Sequence, residues 1–517
     1  MRMKLLTLLS FLLFSQVVSA ETKSLRWKIK NASWNDAFEK SYSDFIRTLG
    51  KARKKGACRT TDECLRSPVA NPKYSSMNPS GLSNVFTDCA DLPYILRAYF
   101  AWMNDLPFSY PTDLAEAEKL SRKLKDIRYS KYGNIILSKH HIGNGENINR
   151  VLQNLSDTIS TASFRTNAGT NDSGDLFRDT YPVEIDRRAI APGTIVYDPN
   201  GHVAVVYEVT NSGQIFLIDA HPDNSLTTII YGEKFARSGI RVGGGFSNFR
   251  PFSYSRGDVD PKSNSELSGF SLIQYSKGPF IFKGKEMSFY EYVRAKMADG
   301  DIIYDPINEF TNFMDELCQD IKYREEAVDI AIKANIDNVT HPRLLPDNIY
   351  GADGEWEAYA TPGRDARFKA SVRETKNYLN KVIKGFENKS IQVIYQGLDL
   401  AGDLRELYWS KSRACKITPV SNTTMNLDQV LLNLFKLSFD PYHCVELRWG
   451  ITGANTCEMS ANKKKWYLAE QGLRNRVDRD YSVKTSYDVD DLPKAPVSQV
   501  EQPDLSFDKI LQIERAN

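Results

Sequence analysis

The chain has 517 residues, 41% hydrophobic and 26% charged, with 26 Tyr and 25 Phe. This is an ordinary globular composition, long enough for two or three domains, and it excludes collagenous, coiled-coil and largely disordered chains. Lys and Arg total 67 against 65 Asp and Glu. So even a balance lacks the basic field needed to neutralise nucleic-acid phosphates, and no nucleic-acid partner is expected.

The first twenty residues have the form of a signal peptide. Arg2 and Lys4 precede an apolar run from Leu5 to Phe14, and Val18-Ser19-Ala20 supplies the small residues of a cleavage site. That run is too short to span a bilayer comfortably, and no later stretch is apolar for long enough. The mature protein is therefore expected to be secreted or periplasmic, with no integral membrane segment.

A helix is predicted over 33–55, with Trp34, Phe38, Phe45, Ile46 and Leu49 on one face and Gly56 after it. A Pro-, Ser- and Asn-rich loop follows to 86. A second helix begins near Cys89 and runs to about Trp102, and further helices are predicted over 113–127 and 147–162. From Tyr181 the pattern turns to strands at Thr194–Tyr197, His202–Val209 and Gln214–Asp219, joined by Asp-Pro-Asn-Gly and Asn-Ser-Gly turns. Beyond 256 the texture is mainly helical, over 308–335, 366–386, 425–438 and 461–477. The expected organisation is a signal peptide over 1–20, an α+β domain over 30–256 and a mainly helical region of unassigned role over 257–490. A flexible tail is expected over 491–517.

The seven cysteines are Cys58, Cys64, Cys89, Cys318, Cys415, Cys444 and Cys457. In an exported chain an odd count leaves at least one free thiol. Cys58 and Cys64 suit a local disulfide, and the four C-terminal cysteines allow two more in any of three connectivities. Cys89 is then the odd one out.

Cys89 falls at or just before the start of a helix, where unpaired N–H groups and the macrodipole favour a thiolate. Pro93 is compatible with a first turn. A thiolate nucleophile needs a base and a group to orient that base. Of the six histidines, at 140, 141, 202, 221, 341 and 443, His202 opens a strand directly after Gly201. No metal pattern occurs: His140 and His141 are adjacent, and neither His-x-x-x-His nor Cys-x-x-Cys is present. Gly243-Gly244-Gly245 lacks the Lys-Ser/Thr of a phosphate-binding loop. No cofactor is expected.

Asp-Cys-Ala-Asp-Leu at 88–92 resembles the Asp-Cys-Ser-Gly-Leu motif of the NlpC/P60 cell-wall hydrolases. Pro192 to Tyr197, followed by Gly201-His202-Val203-Ala204-Val205-Val206, resembles that family's Gly-Asp-Leu-Val strand and His-Val-Gly-Ile-Tyr. CHAP amidases carry a similar Gly-His-Val-Ala stretch, and Phe216 to Ala220 also looks like a transglutaminase-like core. The resemblance covers about residues 70–225, with a long insertion between Cys89 and His202. It implies an α+β papain-like domain, its Cys helix packed on an antiparallel sheet, with Cys89 as nucleophile, His202 as base and Asp219 as third residue.

The family's third residue is usually His, so His221, on the same strand face as Asp219, is the alternative. Aspartate serves the role chemically, since it accepts the imidazole N–H and stabilises the imidazolium. The backbone N–H of Cys89 is the natural oxyanion donor. Tyr74 matches the Tyr that the family often carries upstream of its Cys, as an oxyanion or substrate contact. The implied reaction is amide hydrolysis through a thioester, on peptidoglycan peptides. Two alternatives stand beside it. One is a protein-directed protease or transamidase, favoured if the C-terminal half covers the cleft; the other is a catalytically dead papain-like binding module.

Overall fold

Six strands, β1 (Thr180–Pro182), β2 (Ile195–Asp198), β3 (His202–Val209), β4 (Ile215–Ala220), β5 (Leu226–Ile230) and β6 (Gly245–Phe249), form one antiparallel sheet in the order β1-β6-β2-β3-β4-β5. The computed structural model describes residues 21–118, 126–169, 178–255, 258–351, 355–420, 423–452, 461–480 and 483–515. The expected signal peptide lies outside them. The molecule is α+β, as expected.

Side chains alternate across each strand, so a strand buried on both faces reads as a continuous apolar run. β3 is such a strand. Val203, Val205 and Tyr207 enter one core with Ile195, Tyr197 and Ile218, while Ala204 and Val206 enter another with Val196, Leu217 and Phe246. Helix α1 (Asp36–Lys54) covers the first face, capped by Asn35, whose side chain accepts from the N–H groups of Ala37 and Phe38. Gly50 lets it approach closely, because a Cβ there would lie 2.2 Å from the Tyr207 ring.

Helix α2 (Leu92–Met103) lies in the same core with all twelve residues buried. Its one charge, Arg97, is met by both Glu39 carboxylate oxygens, at 2.5 and 2.8 Å, and stacks 3.3 Å from the Trp34 ring. A buried guanidinium needs such a bidentate partner to offset its desolvation.

The second face is closed by Phe280, Phe289, Val293 and Met297, so the sheet's core continues past the boundary expected at 256. The helical half follows, built on α3 (Pro306–Lys333), α4 (Pro362–Glu387) and α5 (Leu400–Ala414). Residues 491–515 are not a flexible tail. Leu492 and Val497 pack into one helical core and Leu505, Phe507, Leu511 and Ile513 into another. Pro493 and Pro496 stand in two short 3-10 turns, Leu492–Lys494 and Pro496–Ser498, and the spaced apolar residues reach inward.

A further correction concerns 113–127. Ser109–Glu116 is a strand paired with Asn134–His141, and 119–125 lies outside the described residues. Helix-favouring Leu, Ala and Glu are overridden there by cross-strand pairing.

Disulfides join Cys58 to Cys64 and Cys318 to Cys415. Cys444 is also disulfide-bonded, and Cys457 lies outside the described residues. Among the described residues Cys89 is the free cysteine, and no helix is long and apolar enough to cross a membrane.

Candidate active site

The turn between β2 and β3 needs Gly201, at φ +88°, and it delivers His202 at the start of β3. Asp219 sits on neighbouring β4, next to Thr227 on β5. The loop carrying Cys89 is tied to this sheet edge, since the Thr87 N–H donates to Asn224 Oδ1 at 2.8 Å. Asn224 is itself in the left-handed region, at φ +74°, in the turn between β4 and β5. The backbone of Val203, the residue after His202, is close enough to the Cys89 thiol to lower its pKa. Cys89, His202, Asp219 and His221 all line one cleft of about 220 Å3.

His202 Nε2 lies 2.8 Å from Asp219 Oδ2. Burial alone would raise the Asp219 carboxyl, but His221 beside it and the His202 hydrogen bond hold it well below its usual range. An ionised carboxylate only accepts, so Nε2 carries the proton and Nδ1 is left as the basic nitrogen. Thr227 Oγ1 donates to the other oxygen, Asp219 Oδ1. His221 Nε2 then donates to Thr227 Oγ1 at 3.0 Å, and stands 3.6 Å from Asp219 Oδ2. His202 and Asp219 are thus in direct contact, while His221 stands one hydrogen bond further back and stacks on Tyr323 of α3, with ring centres 4.2 Å apart.

The thiolate expected from a helix start is not what the surroundings favour. Burial pushes the Cys89 thiol up to about 12, with Asp88 adding to the effect. The helix begins three residues later, and the N–H groups of the turn before it are already claimed. Asp88 Oδ1 accepts from the N–H groups of Ala90 and Asp91, and Asp91 Oδ1 accepts from that of Asp88. The macrodipole therefore faces two carboxyls. Asp91 is itself raised to about 8, by burial and then by Asp88. Burial and then Arg367 lower His202 below its usual value. Both shifts favour a neutral thiol beside a neutral imidazole at pH 7, not a preformed ion pair.

Within 88–91, the Cys89 N–H is the one without a hydrogen-bond partner among the described residues, as an oxyanion donor requires. Tyr74 is not near it. That ring is buried against Phe45 and Phe100, and its hydroxyl donates to Asn104 Oδ1 at 3.0 Å, beyond the far end of α2. A hydroxyl that the sequence did not single out lies against the turn that delivers His202. Tyr129 Oη lies 3.4 Å from the position of a Cβ on Gly201, and it interacts electrostatically with Cys89. Burial raises its pKa, so it remains a donor. It lies in the insertion between Cys89 and His202, where no motif marks it.

The helical half forms the opposite wall. Tyr323, Glu326 and Ile330 of α3 and Arg364 and Arg367 of α4 line the cleft. Neither arginine has an ion-pair or hydrogen-bonded side-chain partner among the described residues. Arg479 braces the wall by donating to Asp198 Oδ2 at 2.7 Å and to the Lys234 carbonyl at 2.9 Å.

Comparison with family models, curated proteins and solved structures gave no match.

Proposed function

We propose that this chain is an exported cysteine hydrolase of papain-like type that cleaves amide bonds, with Cys89 as nucleophile, His202 as base and Asp219 as orienting residue. The convergence of these three residues on one cleft, from a loop and two strands, carries the reading. As the sulfur attacks the amide carbon, His202 Nδ1 takes the thiol proton and Asp219 stabilises the imidazolium. Charge on the carbonyl oxygen is met by the Cys89 N–H and by Tyr129. Imidazolium then protonates the departing amine, leaving a thioester on Cys89. Water, deprotonated by His202, releases the acid and restores the thiol.

Two arginines without partners at the cleft wall suit a substrate carrying carboxylates near the scissile amide. Peptidoglycan peptides meet that description and follow from the sequence resemblance. Digestion of purified sacculi, with mass spectrometry of the new termini, tests the reading. New amine and carboxyl ends that vanish with Cys89→Ala support it, and undigested sacculi count against this substrate. A second reading, a protein-directed protease or transamidase, is favoured by α3 and α4 walling the cleft. Release of peptides from an unfolded protein substrate, with sacculi left intact, selects it.

A further inference from the structure

Away from the cleft, the helical half buries a second polar cluster. His341, Asp440, His443 and Glu470 all have side chains at 0% exposure. Ligating atoms of His341, Asp440 and Glu470 lie within 4.8 Å of one another. His341 Nδ1 lies 2.6 Å from the Pro342 carbonyl and can only donate to it. In the neutral ring Nε2 is then bare, and it faces Asp440 Oδ2 at 2.6 Å. Two acceptors cannot meet without a cation or a proton between them.

The remaining atoms make the same demand. His443 Nε2 has no hydrogen-bond partner and stands 3.8 Å from Asp440 Oδ2, while its Nδ1 is 2.7 Å from the Ser438 hydroxyl. Among the described residues no N–H or O–H donates to either Glu470 oxygen; the carboxyl faces that of Asp440, and Arg474 is 3.7 Å away. Buried polar atoms without partners cost about 1–3 kcal/mol each, and more when charged. A histidine with Nδ1 fixed on a carbonyl and Nε2 free has the orientation of a metal ligand.

We propose that this cluster binds a divalent transition-metal ion, zinc by its donor set, through His341 Nε2, Asp440 and Glu470, with His443 Nε2, which stands outside that group at 3.8 Å from Asp440, shifting inward as fourth ligand. Two imidazoles and two carboxylates make a closed tetrahedral zinc set, and two negative charges balance the ion. Ligand atoms about 2 Å from one ion sit a little over 3 Å apart, so His341 and Asp440 would separate by less than about 1 Å on loading. The ligands come from three segments distant in sequence, the loop after α3, the loop at 433–444 and the break between the helices Ala461–Ala469 and Gln471–Arg474. The site is structural, since it is buried. It also supports the cleft wall. The Thr361 N–H donates to the Phe439 carbonyl at 3.0 Å, and Arg324 bridges Asp365 and the Ser438 carbonyl, fixing the start of α4 that carries Arg364 and Arg367.

The test uses the full mature chain without a histidine tag. Elemental analysis should find about one equivalent of zinc. Dialysis against a chelator should lower Tm, and ZnCl2 should restore it. Isosteric Glu470→Gln and Asp440→Asn should weaken zinc binding by more than about 100-fold, beyond the cost of an outer-shell partner. If those variants fail to fold, the absorption of the Co2+-substituted native protein reports the coordination directly. A tetrahedral spectrum supports the proposal. Absence of metal, with a Tm indifferent to ZnCl2 and MnCl2, overturns it in favour of a proton shared between Glu470 and Asp440. Zinc held equally by Glu470→Gln overturns it as well. Cys89→Ala should bind zinc like the native chain, so the outcome is independent of the proposed catalysis.

Discussion

The two halves of the molecule each bury a histidine against an aspartate, and the difference between them lies in the histidine's other nitrogen. In the cleft, His202 Nε2 meets Asp219 at 2.8 Å, and no hydrogen bond reaches Nδ1 among the described residues. In the helical half, His341 Nε2 meets Asp440 at 2.6 Å while Nδ1 is held by the Pro342 carbonyl. The first ring has a donor turned to the carboxylate and a basic nitrogen to spare. The second has its donor spent elsewhere and turns a lone pair to the carboxylate. The first arrangement suits the proton transfer of the proposed hydrolysis; the second suits the proposed cation. The neighbours agree, because Asp219 is satisfied by Thr227 whereas no N–H or O–H donates to either Glu470 oxygen among the described residues.

The largest expected effect lies on the proton-moving side. Cys89→Ala and His202→Ala should each lower turnover by about 10⁴-fold or more, and the double variant should cost no more than either alone. Steady-state rates on one amide substrate check this, and activity in either single variant would point to another site. The next effect separates contact from distance. Asp219→Ala should cost about 10²–10⁴-fold, and His221→Ala, one hydrogen bond further back, under about tenfold. The reverse order of damage would hand the third role to His221.

Two predictions address the surroundings. Leu511→Ala should destabilise the chain by about 2–5 kcal/mol in denaturant unfolding, because the C-terminal segment is core. A change near zero would restore the flexible-tail reading. Tyr129→Phe should lower kcat by about 10–100-fold while leaving KM nearly unchanged, as loss of a transition-state donor does.

The smallest effect is one of pH. His202 is lowered below its usual 6.5, so it is already deprotonated at that pH, while Cys89, pushed up to about 12, keeps its proton. kcat/KM should therefore rise along an acid limb below pH 6.5 and show no fall by pH 9. A basic limb between those values would mean a preformed thiolate–imidazolium pair.

Local signals made the sheet and the cleft legible in the sequence. The Asp-Pro-Asn-Gly turn before His202 and the apolar run of β3 act within a few residues, and the odd cysteine count needs no structure to be read. What was missed acts over longer range. The strand at 109–116 exists because 134–141 pairs with it, and the C-terminal segment is ordered because cores laid down earlier in the chain accept its side chains. Tyr129 is an isolated aromatic until the insertion folds back on Gly201. The helical cluster had one local hint, Asp440 three residues before His443, while its other members stand far away at 341 and 470. The thiolate expectation failed first because the folded chain buries the thiol, and then on local detail, since Asp88 lies beside it and Asp88 and Asp91 occupy N–H groups of the turn.

The proposed hydrolysis requires that Cys89 be a nucleophile activated by His202. A peptidyl chloromethyl ketone, incubated with the native unreduced protein and followed by intact mass and peptide mapping, tests it most directly. A single adduct on Cys89 is expected, formed at least about 100-fold more slowly in His202→Ala. An adduct on another residue, or labelling of Cys89 at the same rate without His202, would contradict it.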